Sequence, residues 1–293
     1  MSQLQDRIAG ALAGMVLGDA FGVPGELWPR AKVRERFGRI TEFLDGPADN
    51  IVACYFKAGH YTDDSAQAFV VLNAIEAAGT VPPVQTLAKD LIAWVESMNG
   101  FEINLLGPSS KASLLAWVKG EDALPVTKLS LTNGAAMRIA PVGCLIEAGE
   151  HEKIAEAAAR VSRVTHSTDV TIAGAAMVAQ AVASGVAGRS WEQTLADVKT
   201  IFPIASAKGE PTWAASILAR LEQGGALGQA GGALVVERRC LIGGVLVLCH
   251  KLAPQTKTLP RIRSQGAKTY LYAGPWSSVR SWRWCRRESC RKA

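Results

Sequence analysis

Apolar positions recur with the period of an α-helix along the first 223 residues of the chain. The cleanest segments run from Asp63 to Ala78 and from Pro83 to Ser97, where the apolar side chains fall on one stripe of each predicted helix. The same period predicts further helices at residues 6–20, 31–37, 109–119, 134–148, 151–164, 169–187, 191–201 and 211–223. No segment alternates with a period of two, and no repeat of fixed length is present. We therefore predict an all-α, compact single-domain fold.

Composition agrees with a packed helical protein. The chain has 293 residues, of which 48% are hydrophobic and only 6% aromatic. This is enough apolar material for a sizeable core, and it excludes a mainly disordered protein. The most apolar run, residues 170–188, is rich in Ala and Gly and contains Gln180, so we interpret it as a buried helix rather than a membrane span. The polar start of the chain has no signal-peptide pattern, and we expect a cytoplasmic monomer without a membrane partner.

Charge divides the chain in two. Residues 224–293 hold 13 basic and 2 acidic residues, a net charge of +11 within a total of +6 for the whole chain. No aspartate follows Asp197. We therefore predict a helical domain at residues 1–223 and a basic, atypical tail at residues 224–293.

Two interpretations of this tail are open. The stretch from residue 277 to residue 293 crowds Arg, Ser, Trp and Cys without any helical or strand period, as an out-of-frame end would. Alternatively, a basic arm with Trp side chains would bind nucleic acid or an acidic surface. We favour the frame-shifted end and do not expect nucleic acid to be the main partner. The cysteines of the tail have no metal-ligand spacing.

A candidate metal site lies where a long loop meets the helix predicted at Asp63. Thr62, Asp63 and Asp64 follow one another there. Thr62 fits the N-cap position, and two acidic residues in a first turn are favoured by the helix dipole. The same three side chains offer oxygen ligands to Mg²⁺ or Mn²⁺ on a rigid support. The capping and metal-binding interpretations are compatible with each other.

Three further polar residues have a less obvious purpose. Glu26 lies in a loop rich in Gly and Pro, where a solvated carboxylate is common. Asp19 lies near the end of the first helix, where the dipole opposes it, so we expect another group to hold it. His166 lies in the segment Thr165–Asp169 between two helices. Capping by Ser167 or Thr168 does not explain it, although most lone histidines are surface or core residues.

Two segments have the pattern of an anion-binding turn that leads into a helix. They are residues 106–111 (LGPSSK) and residues 132–136 (TNGAA). Free N–H groups at a helix start attract phosphate, and small residues leave room for it. Ordinary capping is the alternative, because neither segment matches a P-loop or a dinucleotide-binding motif.

Together these segments resemble the ADP-ribosylglycohydrolase family, which includes the dinitrogenase reductase-activating glycohydrolases. The resemblance covers about residues 5 to 222, and its combination of motifs is specific although no single motif is. The motifs are RIAGALAGMVLGDA at residues 7–20 with Gly22, Pro24 and Glu26, YTDDS at residues 61–65, TNGAAMR at residues 132–138 with Pro141 and Gly143, and Thr165–His166 followed by Ala173.

The resemblance implies an all-α fold around a cleft with two divalent ions, Mg²⁺ or Mn²⁺. It implies a hydrolase that cleaves the glycosidic bond between C1″ of ADP-ribose and an acceptor, in an ADP-ribosylated protein or a related conjugate. By position in the motifs, Thr62, Asp63 and Asp64 would bind metal and Glu26 would be catalytic. The implied substrate-binding residues are Gly107, Ser109, Ser110, Asn133, Gly134 and His166.

The chain departs from the family pattern near its C-terminus. The family has an Asp-x-Asp-Thr/Ser motif there, typically after two glycines, that supplies the other metal ligands. The glycine pairs at residues 224–225, 231–232 and 243–244 are followed instead by Ala, Ala and Val. A frame change near residue 224 would explain both this loss and the charge jump. We therefore expect one bound ion or none, and a catalytically inactive pseudo-enzyme is the main rival hypothesis.

Overall fold

A computed structural model describes residues 2–103 and 106–222 of the chain. Within these ranges it contains ten α-helices, a further helical segment at residues 217–222 and three short 3₁₀ helices, and the only β pairing is an isolated bridge between Thr168 and Glu210. The all-α prediction is confirmed. The helices are α1 Gln3–Gly22, α2 Arg30–Phe37, α3 Asp63–Ala78, α4 Val84–Ser97, α5 Pro108–Val118, α6 Leu124–Thr127, α7 Ala140–Leu145, α8 His151–Ser162, α9 Asp169–Ala187 and α10 Trp191–Ser206, and the 3₁₀ helices are Val23–Gly25, Ala53–Tyr55 and Asn133–Ala135.

Helix α9 is the centre of the fold. It packs against α10, α7, α8 and α1, and nearly all of its residues are buried. Both α9 and the Gln3–Gly25 segment are long and apolar enough to cross a membrane by length and composition, but 83% of the α9 window is buried inside the protein. Small side chains such as Ala173, Ala176 and Ala179 line α9, which lets its neighbours approach closely. Its composition is therefore explained by its place in the core.

The ends of α3 and α9 follow from local chemistry. The Thr62 hydroxyl accepts a hydrogen bond from the Asp64 N–H, and the Thr168 hydroxyl accepts one from the Thr171 N–H. Each helix ends at a glycine with positive φ, Gly79 at 70° and Gly188 at 76°. Only glycine adopts this conformation without strain. The predicted bounds of both helices are confirmed.

The segment at residues 134–148 does not form the single helix that its apolar pattern predicted. It forms the 3₁₀ helix Asn133–Ala135, a turn, and then the short helix α7. Pro141 lies in the first turn of α7, where its missing N–H has no cost. A helix that ran through residue 141 would lose the hydrogen bond that a proline cannot donate, so the chain turns at residues 136–138 and α7 begins only at Ala140. This turn places Arg138 in the interior.

Two further differences lie near the end of the described residues. Helix α10 continues past Pro203 to Ser206, beyond the predicted end at residue 201, because the fully buried Ile201 and Ala205 keep its face on the core. Residues 211–216 are not helical, and helix begins again only at residue 217. The predicted tail at residues 224–293, with the domain boundary before it, lies outside the described residues.

Candidate functional site

Asp19 joins helix α1 to the start of α3. Its carboxylate accepts hydrogen bonds from the backbone N–H groups of Thr62 at 2.9 Å and Ser65 at 3.1 Å. It also accepts from the Thr62 hydroxyl at 2.9 Å and the Ser65 hydroxyl at 2.7 Å. Asp19 therefore caps a helix that is distant in sequence, which confirms the expectation that another group holds it. The contact fixes the position of the candidate metal-binding residues.

Thr62, Asp63 and Asp64 lie at the N-cap and the first two positions of α3. The Thr62 hydroxyl donates to Asp19 and accepts from the Asp64 N–H, so it still has one lone pair for another partner. One Asp63 oxygen, Oδ2, accepts a hydrogen bond of 3.0 Å from the amide of Gln67, one turn along the helix. Helix geometry thus presents two carboxylates and a hydroxyl at one place.

Glu26 follows directly after the 3₁₀ helix Val23–Gly25 and is half-buried. Its backbone is held on both sides, because its N–H donates to the Val23 carbonyl and its own carbonyl accepts from the Asn50 side chain at 2.8 Å. Leu27, the next residue, has a positive φ of 57°. These contacts anchor the loop, and Glu26 is half-buried rather than fully solvated.

The four carboxylates of Asp19, Glu26, Asp63 and Asp64 act on one another. Burial raises the pKa of Asp63 to about 7, with further increases from the charges of Asp19 and Glu26. Burial, and then Asp63, Asp19 and Glu26, raise the pKa of Asp64 well above its ordinary range. The pKa of Glu26 is raised by burial and by Asp19. The pKa of Asp19 is also raised, because burial outweighs its four hydrogen bonds.

Mutually repelling carboxylates with raised pKa values are the environment that a bound cation would relieve. All donor atoms are oxygens, which suits Mg²⁺ or Mn²⁺ rather than a soft metal. Among the described residues, however, no group of three or more His, Cys, Asp or Glu side chains is arranged to hold a metal ion. Thr62, Asp63 and Asp64 thus provide three oxygen donors of the kind that a hard ion takes, which is about half of the number such an ion needs.

The second part of the site brings both predicted anion-binding segments against His166. A Cβ added at Gly134 would lie 2.6 Å from Cε1 of His166 and 3.2 Å from the Ser110 hydroxyl oxygen. Only glycine therefore fits at position 134. Gly107 is the N-cap of α5 and is exposed, while Ser109 and Ser110 lie in its first turn. Three of the predicted substrate-binding residues, Ser110, Gly134 and His166, thus lie close together.

His166 itself is fully buried. Its Nε2 lies 2.7 Å from the Thr132 hydroxyl oxygen and its Nδ1 lies 2.7 Å from the Thr165 hydroxyl oxygen. Burial, with a smaller contribution from the charge of Arg138, lowers the pKa of His166 to about 3. The imidazole is therefore neutral and lies behind the exposed residues Thr132 and Asn133.

Arg138, for which no role was predicted, connects the two parts. It is fully buried, and it contacts Gln67 on the α3 side and Thr165 on the His166 side. The signal that was missed is its charge, which lies in the middle of the apolar segment at residues 134–148. Asn50 and Ser65 were also missed, because their contacts with Glu26 and Asp19 join segments that meet only in the folded chain.

Comparison with known proteins identifies the family to which the site belongs. Residues 1–246 match the family described as ADP-ribosylglycohydrolase. An uncharacterized protein of Escherichia coli (strain K12), YegU, is 38% identical over 74% of this chain and 65% of its own length. The ADP-ribosyl-[dinitrogen reductase] glycohydrolase of Rhodospirillum rubrum is 22% identical over 64% of this chain and 60% of its own length. The ADP-ribosylarginine hydrolase Tri1 of Pseudomonas putida (strain GB-1) is 26% identical, over 66% of this chain and 50% of its own length.

A solved structure supports the fold. The chain of an ADP-ribosylglycohydrolase-related protein complex superimposes with a TM-score of 0.54 at 21% identity, over 72% of this chain and 65% of that one. The present chain thus spans only 50% to 65% of the length of the proteins that it matches. Because the family match covers well over half of its residues, the protein belongs to the ADP-ribosylglycohydrolase family.

Proposed function

We propose that the protein is a metal-dependent hydrolase that cleaves the glycosidic bond of an ADP-ribosylated protein or a related ADP-ribose conjugate. The observation that carries the proposal is the group of oxygen ligands at Thr62, Asp63 and Asp64, next to Glu26, in a chain of this family. Two relatives whose names describe hydrolysis of ADP-ribosyl groups support the substrate class.

In this proposal, Thr62, Asp63 and Asp64 hold Mg²⁺ or Mn²⁺. When bound, such an ion orients ribose hydroxyls and lowers the pKa of a coordinated water. Glu26 accepts a proton from the attacking water, or returns one to the leaving group. Its raised pKa favours both roles, since a base works best with a pKa close to the working pH.

The remaining residues would bind the rest of the substrate. The exposed N-terminal turn of α5, with Gly107 and Ser109, and the segment that starts at Asn133 supply N–H groups and hydroxyls suited to a diphosphate. Gly134 lets this segment approach His166 closely. Binding energy from the diphosphate, far from the bond that breaks, would position the ribose for reaction.

Hydrolysis of an ADP-ribosylated peptide in the presence of Mg²⁺ or Mn²⁺ tests the proposal. We expect Glu26→Gln to lower the rate by at least about 100-fold, the usual scale of general acid–base catalysis. Glu96→Gln, at an exposed position of α4, is the matched control and should keep the parent rate. Equal rates for the Glu26→Gln variant and the parent would contradict the catalytic role of Glu26.

A pseudo-enzyme is the second candidate, favoured by the absence of a group of three potential His, Cys, Asp or Glu ligands among the described residues. It would bind ADP-ribose without hydrolysing its conjugates. Calorimetric binding of ADP-ribose to the parent chain, measured beside the hydrolysis assay, distinguishes the two functions. Binding without turnover at any metal concentration favours the pseudo-enzyme.

A further inference from the structure

Arg138 is a buried cation whose guanidinium pairs with no carboxylate among the described residues. Its Nη1 donates to Oε1 of Gln67 at 2.9 Å. Its Nη2 donates to the Val161 carbonyl at 3.1 Å and to the Thr165 hydroxyl oxygen at 2.7 Å. Its Nε has no hydrogen-bond partner among the described atoms. A buried charge with an unsatisfied N–H costs free energy, so packing alone does not explain an arginine here.

The donor-only chemistry of arginine fixes the direction of the hydrogen bonds that follow. Because Arg138 can only donate, the Thr165 hydroxyl oxygen must accept from it. The hydroxyl proton of Thr165 is then left to donate, and Nδ1 of His166 at 2.7 Å is the one acceptor that the described residues offer it. His166 therefore carries its own proton on Nε2.

The hydrogen bonds that lead from Arg138 through Thr165 to His166 form a relay, and Thr132 is its exposed end. With its proton on Nε2, His166 donates to the Thr132 hydroxyl oxygen at 2.7 Å. Thr132 makes no side-chain cap to the 3₁₀ helix that follows it, and it lies at the surface. Its hydroxyl proton is thus free to be donated outward, toward an oxygen atom of a ligand.

A second set of hydrogen bonds leads from Arg138 toward the candidate metal site. Since the Gln67 Oε1 accepts from Arg138, the Gln67 amide nitrogen must face Asp63, and it donates to Oδ2 at 3.0 Å. This orients one of the two carboxylates in the candidate metal site. One buried guanidinium therefore fixes polar groups on both sides of the site.

We propose that Arg138 is a positioning residue that holds His166 in the Nε2–H tautomer and makes Thr132 a hydrogen-bond donor to the ligand. The inference rests on the proposed function for the identity of that ligand, an ADP-ribose group whose ribose and phosphate oxygens accept hydrogen bonds. It does not require that the chain be catalytically active. Thr132 becomes a ligand-contacting residue, with His166 acting through it.

The tautomer is tested by nuclear magnetic resonance of the chain with ¹⁵N-labelled histidine. The chain has four histidines, so the His166 signals can be assigned with His166→Asn. We expect one protonated ring nitrogen, Nε2, and one unprotonated nitrogen, Nδ1, at neutral pH. Thr165→Val should give a mixture of the two His166 tautomers, whereas Thr165→Ser should keep the single Nε2–H tautomer. Thr127→Val is the matched control, because Thr127 is equally buried but bonds to Ser167 instead.

Arg138→Lys tests directly whether Arg138 sets the tautomer of His166, since a lysine keeps the charge but cannot reach Gln67, Val161 and Thr165 together. We expect mixed tautomers in this variant. If it fails to fold, the Thr165 variants still decide the proposal. A parent protein with His166 protonated on Nδ1, or a Thr165→Val variant with the parent spectrum, would overturn it.

Binding of ADP-ribose gives the second readout. Thr132→Val and Thr165→Val should each weaken binding by about ten-fold, the scale of one lost hydrogen bond. The double variant should lose no more than either single variant, because both changes break one relay. Fully additive losses would overturn the link between the two residues. If the parent chain binds no ADP-ribose, the proposed function fails, while the tautomer measurement still decides this inference.

Discussion

At the scale of single residues, the feature with the largest expected energetic effect is the carboxylate of Asp19. It accepts four hydrogen bonds from Thr62 and Ser65, two from backbone N–H groups that no helical carbonyl can satisfy. An ordinary N-cap residue directly precedes the helix that it caps, whereas Asp19 lies on a different helix, α1. The start of α3 therefore depends on the packing of α1.

Asp19→Ala should lower the free energy of unfolding by about 2–4 kcal/mol, because it leaves buried donors without partners. The change in the urea midpoint measures it. Asp49→Asn is the control, since it removes only an exposed ion pair with Lys32 and should cost less than about 1 kcal/mol. Equal losses in the two variants would show that the capping contact contributes little.

The carboxylates of the site also make stability depend on pH. The pKa of Asp63 is about 7 in the folded chain against an ordinary value of 3.8, and those of Asp64 and Glu26 are raised as well. At pH values between the ordinary and the raised pKa of Asp63, the folded chain binds more protons than the unfolded chain, so the free energy of unfolding falls as pH rises.

We therefore expect the metal-free protein to be less stable at pH 8 than at pH 5, by about 1–3 kcal/mol. Urea unfolding with a chelator present measures this difference. Asp63→Asn should reduce it, and saturating Mn²⁺ should reduce it in the parent chain. Stability that rises from pH 5 to pH 8 would contradict the raised pKa values.

At the scale of elements, glycines with different surroundings test how the helices and turns pack. Gly134 begins the contact between the Asn133–Ala135 helix and His166, and an added Cβ there would overlap the imidazole. Gly10 lies in α1, and a Cβ added there would meet no atom within 4 Å. The same substitution should therefore have opposite effects at these two positions.

Gly134→Ala should lower the free energy of unfolding by about 1–3 kcal/mol, because His166 or the backbone must move. Gly10→Ala should raise it by about 0.5–1 kcal/mol, because alanine favours helix more strongly than glycine. Thermal unfolding of the two variants beside the parent gives the comparison. A Gly134→Ala variant as stable as the parent would show that this contact relaxes without cost.

Element boundaries were predictable where local chemistry decides them. Thr62 and Gly79 enclose α3 at the predicted bounds, because a capping hydroxyl and a left-handed glycine act on their own neighbours. The prediction was wrong for residues 134–148, where the apolar pattern hid the effect of Pro141. It was also wrong at Pro203, where burial of Ile201 and Ala205 outweighs the loss of one hydrogen bond.

At the scale of the whole molecule, the main question is how many ions the chain binds. The described residues offer one oxygen-rich group, at Thr62, Asp63 and Asp64, and no second cluster. The family pattern expects further aspartates near the C-terminus, and no Asp follows residue 197 in this sequence.

Calorimetric titration with Mn²⁺ should therefore show at most one ion per chain, bound weakly. Asp64→Asn should abolish the binding heat, because it removes one of two carboxylates from the group. The control is Asp49→Asn, at an exposed position, which should leave the titration unchanged. Tight binding of two ions would show that further ligands lie beyond the described residues.

The sequence by itself determined the helical class and the family, because period, capping and short motifs are local properties. It predicted Thr62, Asp63, Asp64 and Glu26 as site residues without indicating what holds them. Only the tertiary structure decided that Asp19 caps α3 and that Arg138 lies between the two parts of the site. Those contacts join residues 27 to 71 positions apart, and burial in a shared core is what brings such residues together.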